Sequence, residues 1–435
     1  MVVSSMSYAT YERYKESGVD WLGEIPSDWE LISLNRVSKV KSISNHPNER
    51  LLSVYLEKGV IPFEDVSEKR TNGTSDNLDK YQLVDIGDFV LNNQQAWRGS
   101  VGVSNYRGII SPAYIILEIS DKLNSKFANY FFRSEKMIYQ YVIHSKGVGT
   151  IQRNLYWQSF KNSLCWIPSL EEQTKIANFL DQKTAQIDQA IALKQQQIEK
   201  LNEYKQIVIQ NAVTKGLNPN APMKDSGVAW IGDIPEHWEV KKLKFLGKCI
   251  IGLTYSPNDL SDKENGTLVL RSSNLKNGHF YYSEDANVYV KTKIPNKLIL
   301  KKDDILICSR NGSRDLIGKC AIATEKDIGN SFGAFTTVFR SELNPYLYFI
   351  FNSGIFKMLA GSFLTSTINQ LTTGNLNTMQ MPIPPNKERQ EIISYLTDFN
   401  EKIANASESY QTQIDRLKEY KNILINQAVT GKIKI

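Results

Sequence analysis

The sequence predicts an α+β protein: two mixed α/β domains separated by two long antiparallel coiled-coil helices, the whole an internal tandem repeat with pseudo-two-fold symmetry. Three observations predict it. An opening segment occurs twice, a long polar segment with heptad-spaced apolar residues occurs twice, and the stretches between alternate short β-branched runs with aromatic-rich helical ones.

The repeat is the firmest of these. Residues 16–31 read ESGVDWLGEIPSDWEL and residues 225–240 read DSGVAWIGDIPEHWEV, so Trp21, Pro26 and Trp29 recur as Trp230, Pro235 and Trp238 at an offset of 209. Ile167-Pro168 recurs as Ile383-Pro384, and LNEYKQIVIQNAVTKG (201–216) as LKEYKNILINQAVTGK (417–432), both at an offset of 216. The halves are about 16–215 and 225–432, joined at the turn-rich GLNPNAP (216–222). The expected divisions are a first mixed α/β domain over 1–168, a central helix over 169–216, a second mixed domain over 217–384 and a C-terminal helix over 385–435.

Between the fixed segments the halves are related loosely. VDIGDFVLNNQQAWRGSVGV (84–103) lies against LKKDDILICSRNGSRDLIGK (300–319), pairing Asp88 with Asp304 and Gly102 with Gly318. The apolar alternation survives while most polar residues differ, as if one frame carried two surfaces. DFVL, AYIILEI, LVLR, DILICS and FTTVF read as strands, and the stretches around 124–141 and 344–360 as helical.

From about Glu172 to Thr214, and again from Glu388 to Thr430, Pro and Gly are absent, while Pro168, Pro384 and Pro385 precede and Gly216 and Gly431 follow. Leu180, Ile187, Lys194, Leu201 and Val208 fall seven apart, as do Leu396, Ile403, Tyr410, Leu417 and Leu424. Such heptads predict a pairing seam. At ~1.5 Å per residue each helix spans roughly 65 Å. Lys194 stands where the partner series has Tyr410, so the pair is not fully symmetric.

Composition removes several classes. No apolar run approaches the ~20 residues that span a bilayer, and MVVSSMSYATYERYK has no apolar signal core, so no membrane partner and a cytoplasmic location are expected. The net charge of +6 is compatible with nucleic acid but does not require it. Cys165, Cys249, Cys308 and Cys320 are scattered without a C-x-x-C, and read as reduced thiols rather than zinc ligands or disulfides. His46, His144, His237 and His279 form no metal or acid–base spacing. GSRDLIGKC (312–320) lacks P-loop spacing, no glycine fingerprint follows a strand, and NPYL (344–347) reads as a helix start. No catalytic residues are assembled.

Arg reads guanine, and Asn or Gln reads adenine, through paired hydrogen bonds in the major groove. The first half offers Asn93, Gln94, Gln95 and Arg98 in NNQQAWRG, and Lys146, Gln152 and Arg153 in SKGVGTIQRN. The second offers Arg310, Asn311 and Arg314 in CSRNGSRD, Arg271 and Asn274 in LRSSNLKNG, and Asn369 and Gln370 in TSTINQLTTGN. NNQQAWRG and CSRNGSRD follow matching strands. Trp97 reads as packed core, not as a platform for bases.

The YKESGVDWLGEIP opening (14–26), its repeat, and the doubled L-x-E-Y-K-x-I-x-I-x-x-A-V-T ending resemble the specificity subunits of Type I restriction-modification systems; DDILICSRNG and SPAY (111–114) resemble segments of that family's target-recognition domains. The resemblance covers nearly the whole chain. It implies two target-recognition domains, each reading one half of a split site in double-stranded DNA, with helix length setting the gap. It also implies docking of two modification subunits, which methylate adenine, and of restriction subunits that move on and cut DNA. No cofactor is expected on this chain; S-adenosylmethionine, ATP and magnesium would belong to the partner subunits. Two other readings stay open at this point, a coiled-coil scaffold without DNA and a stand-alone DNA-modifying enzyme.

Overall fold

The doubled opening segment folds as a doubled hairpin. In the computed structural model, which describes residues 8–56, 58–65, 77–147, 153–364 and 369–435, Tyr14–Glu16 pairs with Glu24–Pro26 and Met223–Asp225 with Asp233–Pro235, in equivalent antiparallel register. Gly23 and Gly232 hold φ of 69° and 68°, the left-handed region a side chain resists. Ile25 and Ile234 are fully buried, and so, one turn on, are Trp29 and Trp238. The motif is thus a structural plug whose glycines turn the chain and whose tryptophans enter the core.

Each half then builds a four-stranded antiparallel sheet with the same order. In the first it runs Ser38–Lys41, Tyr114–Ile119, Phe89–Asn92, Val101–Val103; in the second, Lys248–Ile251, Thr336–Arg340, Ile305–Cys308, Cys320–Ile322. The middle strands place Ile116 opposite Val90 and Leu306 opposite Val338, all fully buried. Asp88 and Asp304 occupy the same turn before the second strand of each half, their carboxylates accepting the backbone N–H of Asp85 (2.7 Å) and Lys301 (2.9 Å). The expected pairing of Asp88 with Asp304 therefore has a structural basis.

The pairing of Gly102 with Gly318 does not hold. Gly102 lies within a strand opposite Val90, whereas Gly318 (φ 83°) precedes its strand. The counterpart of Gly318 is Gly99 (φ 91°), which lies against Ile138 as Gly318 lies against Ala360. Eight residues (93–100) separate the strands of the first half and eleven (309–319) those of the second. A gapless alignment slips across that three-residue insertion.

The helical stretches resolve as pairs, Ser125–Phe132 with Glu135–Ile143 and Asn344–Phe351 with Gly354–Ser362. Each break carries a serine cap: Ser134 accepts the N–H of Met137 (3.5 Å) and Ser353 that of Phe356 (3.4 Å). Asn344 begins a helix, as expected for NPYL, with its amide donating to the carbonyls of Asp303 and Phe339 (both 2.8 Å). The cysteines are thiols, Cys165, Cys308 and Cys320 buried and Cys249 half-buried. Burial pushes Cys249 and Cys308 up to about 11 and Cys320 to about 12, which leaves them protonated and inert.

The two long helices run Leu170–Lys215 and Asn386–Val429. The chain divides into two compact units, Met1–Lys194 with Thr412–Ile435, and Gln195–Gln411. The division cuts both helices, where the sequence reading had set each apart as its own segment. The physical reason lies in antiparallel pairing, which lays the start of one helix beside the end of the other. In the first unit Asp188 meets Lys421 and Lys194 donates to Gln413 (2.6 Å), so the polar interruption of the heptad is satisfied by a partner amide. In the second unit Tyr204 meets Phe399 edge-on at 5.6 Å. Along the expected seam Leu180, Ile187, Leu396, Ile403 and Leu424 are buried; Leu201, Val208, Tyr410 and Leu417 are half-buried. Ile176, Ile209, Ile392 and Ile414 are buried at the intervening positions. No helix among the described residues is long and apolar enough to cross a membrane.

Candidate nucleic-acid interface

The first loop leaves the strand Phe89–Asn92 and closes through a short 3-10 turn, Ala96–Arg98. Asn92 accepts the N–H of Gln94 (3.1 Å), and the Trp97 indole N–H donates to the carbonyl of Gln94 (3.1 Å), so the loop is tied to itself. Two guanidinium groups lie over the Trp97 ring, Arg98 at 4.7 Å and Arg153 at 5.0 Å. Trp97 is half-buried, not packed core, which corrects the sequence reading. Desolvating only part of the ring leaves its π face to hold cations.

A two-stranded ribbon, Ser145–Lys146 with Asn154–Leu155, joins this loop: the Leu155 N–H donates to the carbonyl of Asn93 (3.0 Å). Lys146 on the ribbon lies 5.4 Å from the exposed Tyr156 ring. The structure therefore brings together Asn93, Gln94, Gln95, Arg98, Lys146 and Arg153. The Asn93 side-chain oxygen is buried with no partner among the described residues. Gln152 lies outside the described residues.

The second loop leaves Ile305–Cys308 and is built differently. Ser309 donates to the carbonyl of Phe335 (3.1 Å), the Arg310 N–H donates to the same carbonyl (3.0 Å), and Arg310 bridges Gln370 in antiparallel fashion. The Asn369 amide donates to Gly312 (3.1 Å) and the Asn311 amide to the hydroxyl of Ser272 (3.0 Å). Arg310 lies 5.4 Å over Phe335, a ring 62% exposed. Beside them opens a cleft of about 510 Å³ lined by Leu253, Tyr255, Arg271, Ser272, Phe335 and Thr336. Phe335 and Tyr255 were not among the sequence candidates.

Two candidates stand apart. Asn274 is fully buried: its oxygen accepts the Arg271 N–H (2.9 Å) and its amide donates to Tyr281 and Asn287 (3.1 Å each), so it shapes the loop from within and presents nothing outward. Arg314 turns away and donates to the carbonyl of Gly361 (3.3 Å) on the helix Gly354–Ser362. It falls in the three-residue insertion region and is not the counterpart of Arg98. Arg271 donates to Ala286 (3.3 Å) while its Nε is buried without a partner among the described residues.

Both loops share one chemistry. Each places a guanidinium over an incompletely buried aromatic ring, beside amide side chains, on the turn that follows the same strand. Planar π faces and paired donors are the groups that meet bases and phosphates.

The chain is similar to known proteins along most of its length. A model of the Type I restriction modification DNA specificity domain matches residues 26–203 and again 235–414. The MjaVIII specificity subunit of a Type I restriction enzyme from Methanocaldococcus jannaschii is 26% identical over all of this chain and 99% of its own. The putative MjaX specificity subunit of the same organism is 24% identical over the whole of both chains. A chain from a solved structure concerning complex assembly of the type I R-M system superposes with a TM-score of 0.68 at 15% identity, over 93% of this chain and 98% of that one, a likeness of fold. The chain belongs to the family of Type I restriction modification DNA specificity proteins, with two copies of the specificity domain in tandem.

Proposed function

We propose that each module reads one half of a two-part site in double-stranded DNA, and that the chain itself catalyses nothing. The observation that carries this reading is the doubled loop, Trp97 with Arg98 and Arg153 in one module and Phe335 with Arg310 in the other. One frame with two different loop chemistries is what two unlike half-sites require. Asn93, Gln94, Gln95 and Lys146 join the first reader; Arg271, Asn311, Asn369 and Gln370 join the second. Asn and Gln suit adenine, Arg suits guanine, and Lys146 suits a phosphate.

The paired helices are the docking surface for two modification subunits and, through the assembly, for restriction subunits. This follows the names of the relatives, all specificity subunits of Type I enzymes. S-adenosylmethionine, ATP and magnesium belong to those partners, and the assembly works on DNA in the cytoplasm.

The test is Arg98→Ala and Arg310→Ala in the assembled complex, read by methylation mapping over a randomised duplex library. Each substitution is expected to relax base preference in one half only, at a cost of about 1–3 kcal/mol. Uniform weakening over all sequences would make these arginines phosphate contacts. Unchanged methylation would leave the chain a scaffold.

A further inference from the structure

The internal repeat allows one unit to be compared with the other, position by position, at a second cleft in each. In the first unit a cleft of about 590 Å³ is lined by Asp188 from the first long helix and Lys421 from the second. Lys421 donates to both oxygens of Asp188, at 2.7 and 2.6 Å. The second unit has the equivalent cleft, about 810 Å³. At the offset of 216 the lysine is kept as Lys205, but the aspartate is replaced by Ala404.

Lys205 is therefore half-buried without the carboxylate that its counterpart holds, and forms no ion pair among the described residues. The cleft's other charged lining residues do not replace it: Lys319 and Lys357 add positive charge, and Asp315 is the one carboxylate. His279, Cys320 and Tyr348 complete the titratable lining. The hydroxyl of Ser407, on the opposing helix wall, is buried without a hydrogen-bond partner among the described residues and can donate to an anion; the amide oxygens of Asn400 and Gln206, likewise unpartnered, only accept. A half-buried ammonium with no counterion, beside unmatched polar groups, is costly when nothing meets it. Burial also holds the Lys205 ammonium below the ordinary lysine range, the expected direction for a charge with no counterion.

We propose that this cleft binds a small oxyanion, phosphate or carboxylate, with Lys205 as the fixed positive charge and the anion lying where Asp188 lies against Lys421 in the other unit. The cleft shares the far end of the 309–319 loop through Asp315 and Lys319, but Lys205 stands on the long helix Leu170–Lys215, away from Arg310 and Asn311, and its occupation does not depend on their assignment to base reading.

Isothermal titration of the full chain with inorganic phosphate at constant ionic strength, and with acetate in a second arm, tests it. One phosphate or acetate per chain is expected to bind saturably, and the tighter of the two identifies the chemistry. Lys205→Met, which keeps the stem and removes the charge, should weaken binding at least tenfold. Ala404→Asp, which supplies the missing carboxylate internally, should do the same while leaving the lysine in place. Absence of saturable binding to the parent chain, or equal binding by Lys205→Met, overturns the proposal. So does a folded Ala404→Asp variant that binds as the parent does.

Discussion

Replacing Asp304 by Ala should destabilise the second unit by about 3–5 kcal/mol, the cost of leaving a paired charge without its partner in the interior. Asp304 is 1% exposed and meets Arg340 through two parallel hydrogen bonds, Nε at 2.8 Å and Nη2 at 2.6 Å, while also accepting the Lys301 N–H. Arg340 is itself tied to the Ile299 carbonyl (3.0 Å), so it cannot swing to solvent without further loss. Removing both charges together, Asp304→Leu with Arg340→Met, should recover most of the stability, because no orphaned charge remains. Hydrogen exchange resolved by segment is the measurement. Protection should fall across Ile305–Cys308 and Thr336–Arg340 and persist in the strands of the first unit. A loss under about 1 kcal/mol would show that the pair does not hold the sheet.

The consequence for function is directional. Asp304 stands immediately before the strand Ile305–Cys308, which leads into Ser309 and Arg310. Loosening it should blur the second loop while Trp97 and Arg98 keep their geometry. The first unit anchors its equivalent Asp88 through Lys41 (2.6 Å), a cation from the edge strand beyond the intervening Tyr114–Ile119, whereas Arg340 comes from the central strand directly beside Ile305–Cys308. Burial pushes the Asp88 carboxyl above the usual range even so. The repeated aspartate is legible in the sequence; the cation that meets it is not, because each half recruited it from a different strand.

That contrast holds for the rest of the chain. The opening motif, the strands and the long helices are written in local pattern: glycine at left-handed turns, β-branched alternation, seven-residue spacing. What local pattern cannot carry is contact between distant segments. Trp97 reads as core because large apolar side chains usually bury; its half-buried state depends on Arg153, which lies 56 residues on. Phe335 reads as the first residue of a strand, but pairing begins at Thr336, and the ring is left outside. Asn274 sits in a polar run that suggests exposure, yet its three hydrogen bonds are the reason it can be buried. The insertion that separates Gly99 from Gly318 in register is invisible until the strands on either side are paired.

Trp238→Ala is expected to cost the second unit about 3–5 kcal/mol, from a fully buried indole and the cavity it leaves. The position matters beyond its volume. The indole N–H donates to Glu388 Oε2 (2.9 Å), in the first turn of the second long helix, and a Cβ built on Gly216, just past the first long helix, would sit 3.3 Å from the ring. Trp238 thus closes one helix end and the start of the other at once. The first unit repeats the packing, with Trp29 beneath Gly431, but not the hydrogen bond, for the Trp29 Nε1 is buried without a partner among the described residues. The two glycines are therefore more than stop signals: at φ of 74° and 68° they leave room for a ring where a side chain would intrude. Trp238→Phe separates the two contributions, keeping most of the apolar contact while removing the donor to Glu388, and should cost about 1–2 kcal/mol. If Phe is as damaging as Ala, the hydrogen bond to the helix start outweighs packing. If both are mild, the repeated tryptophan does not join the module to its helices, and the coincidence of Trp, Pro and Gly at both offsets needs another cause.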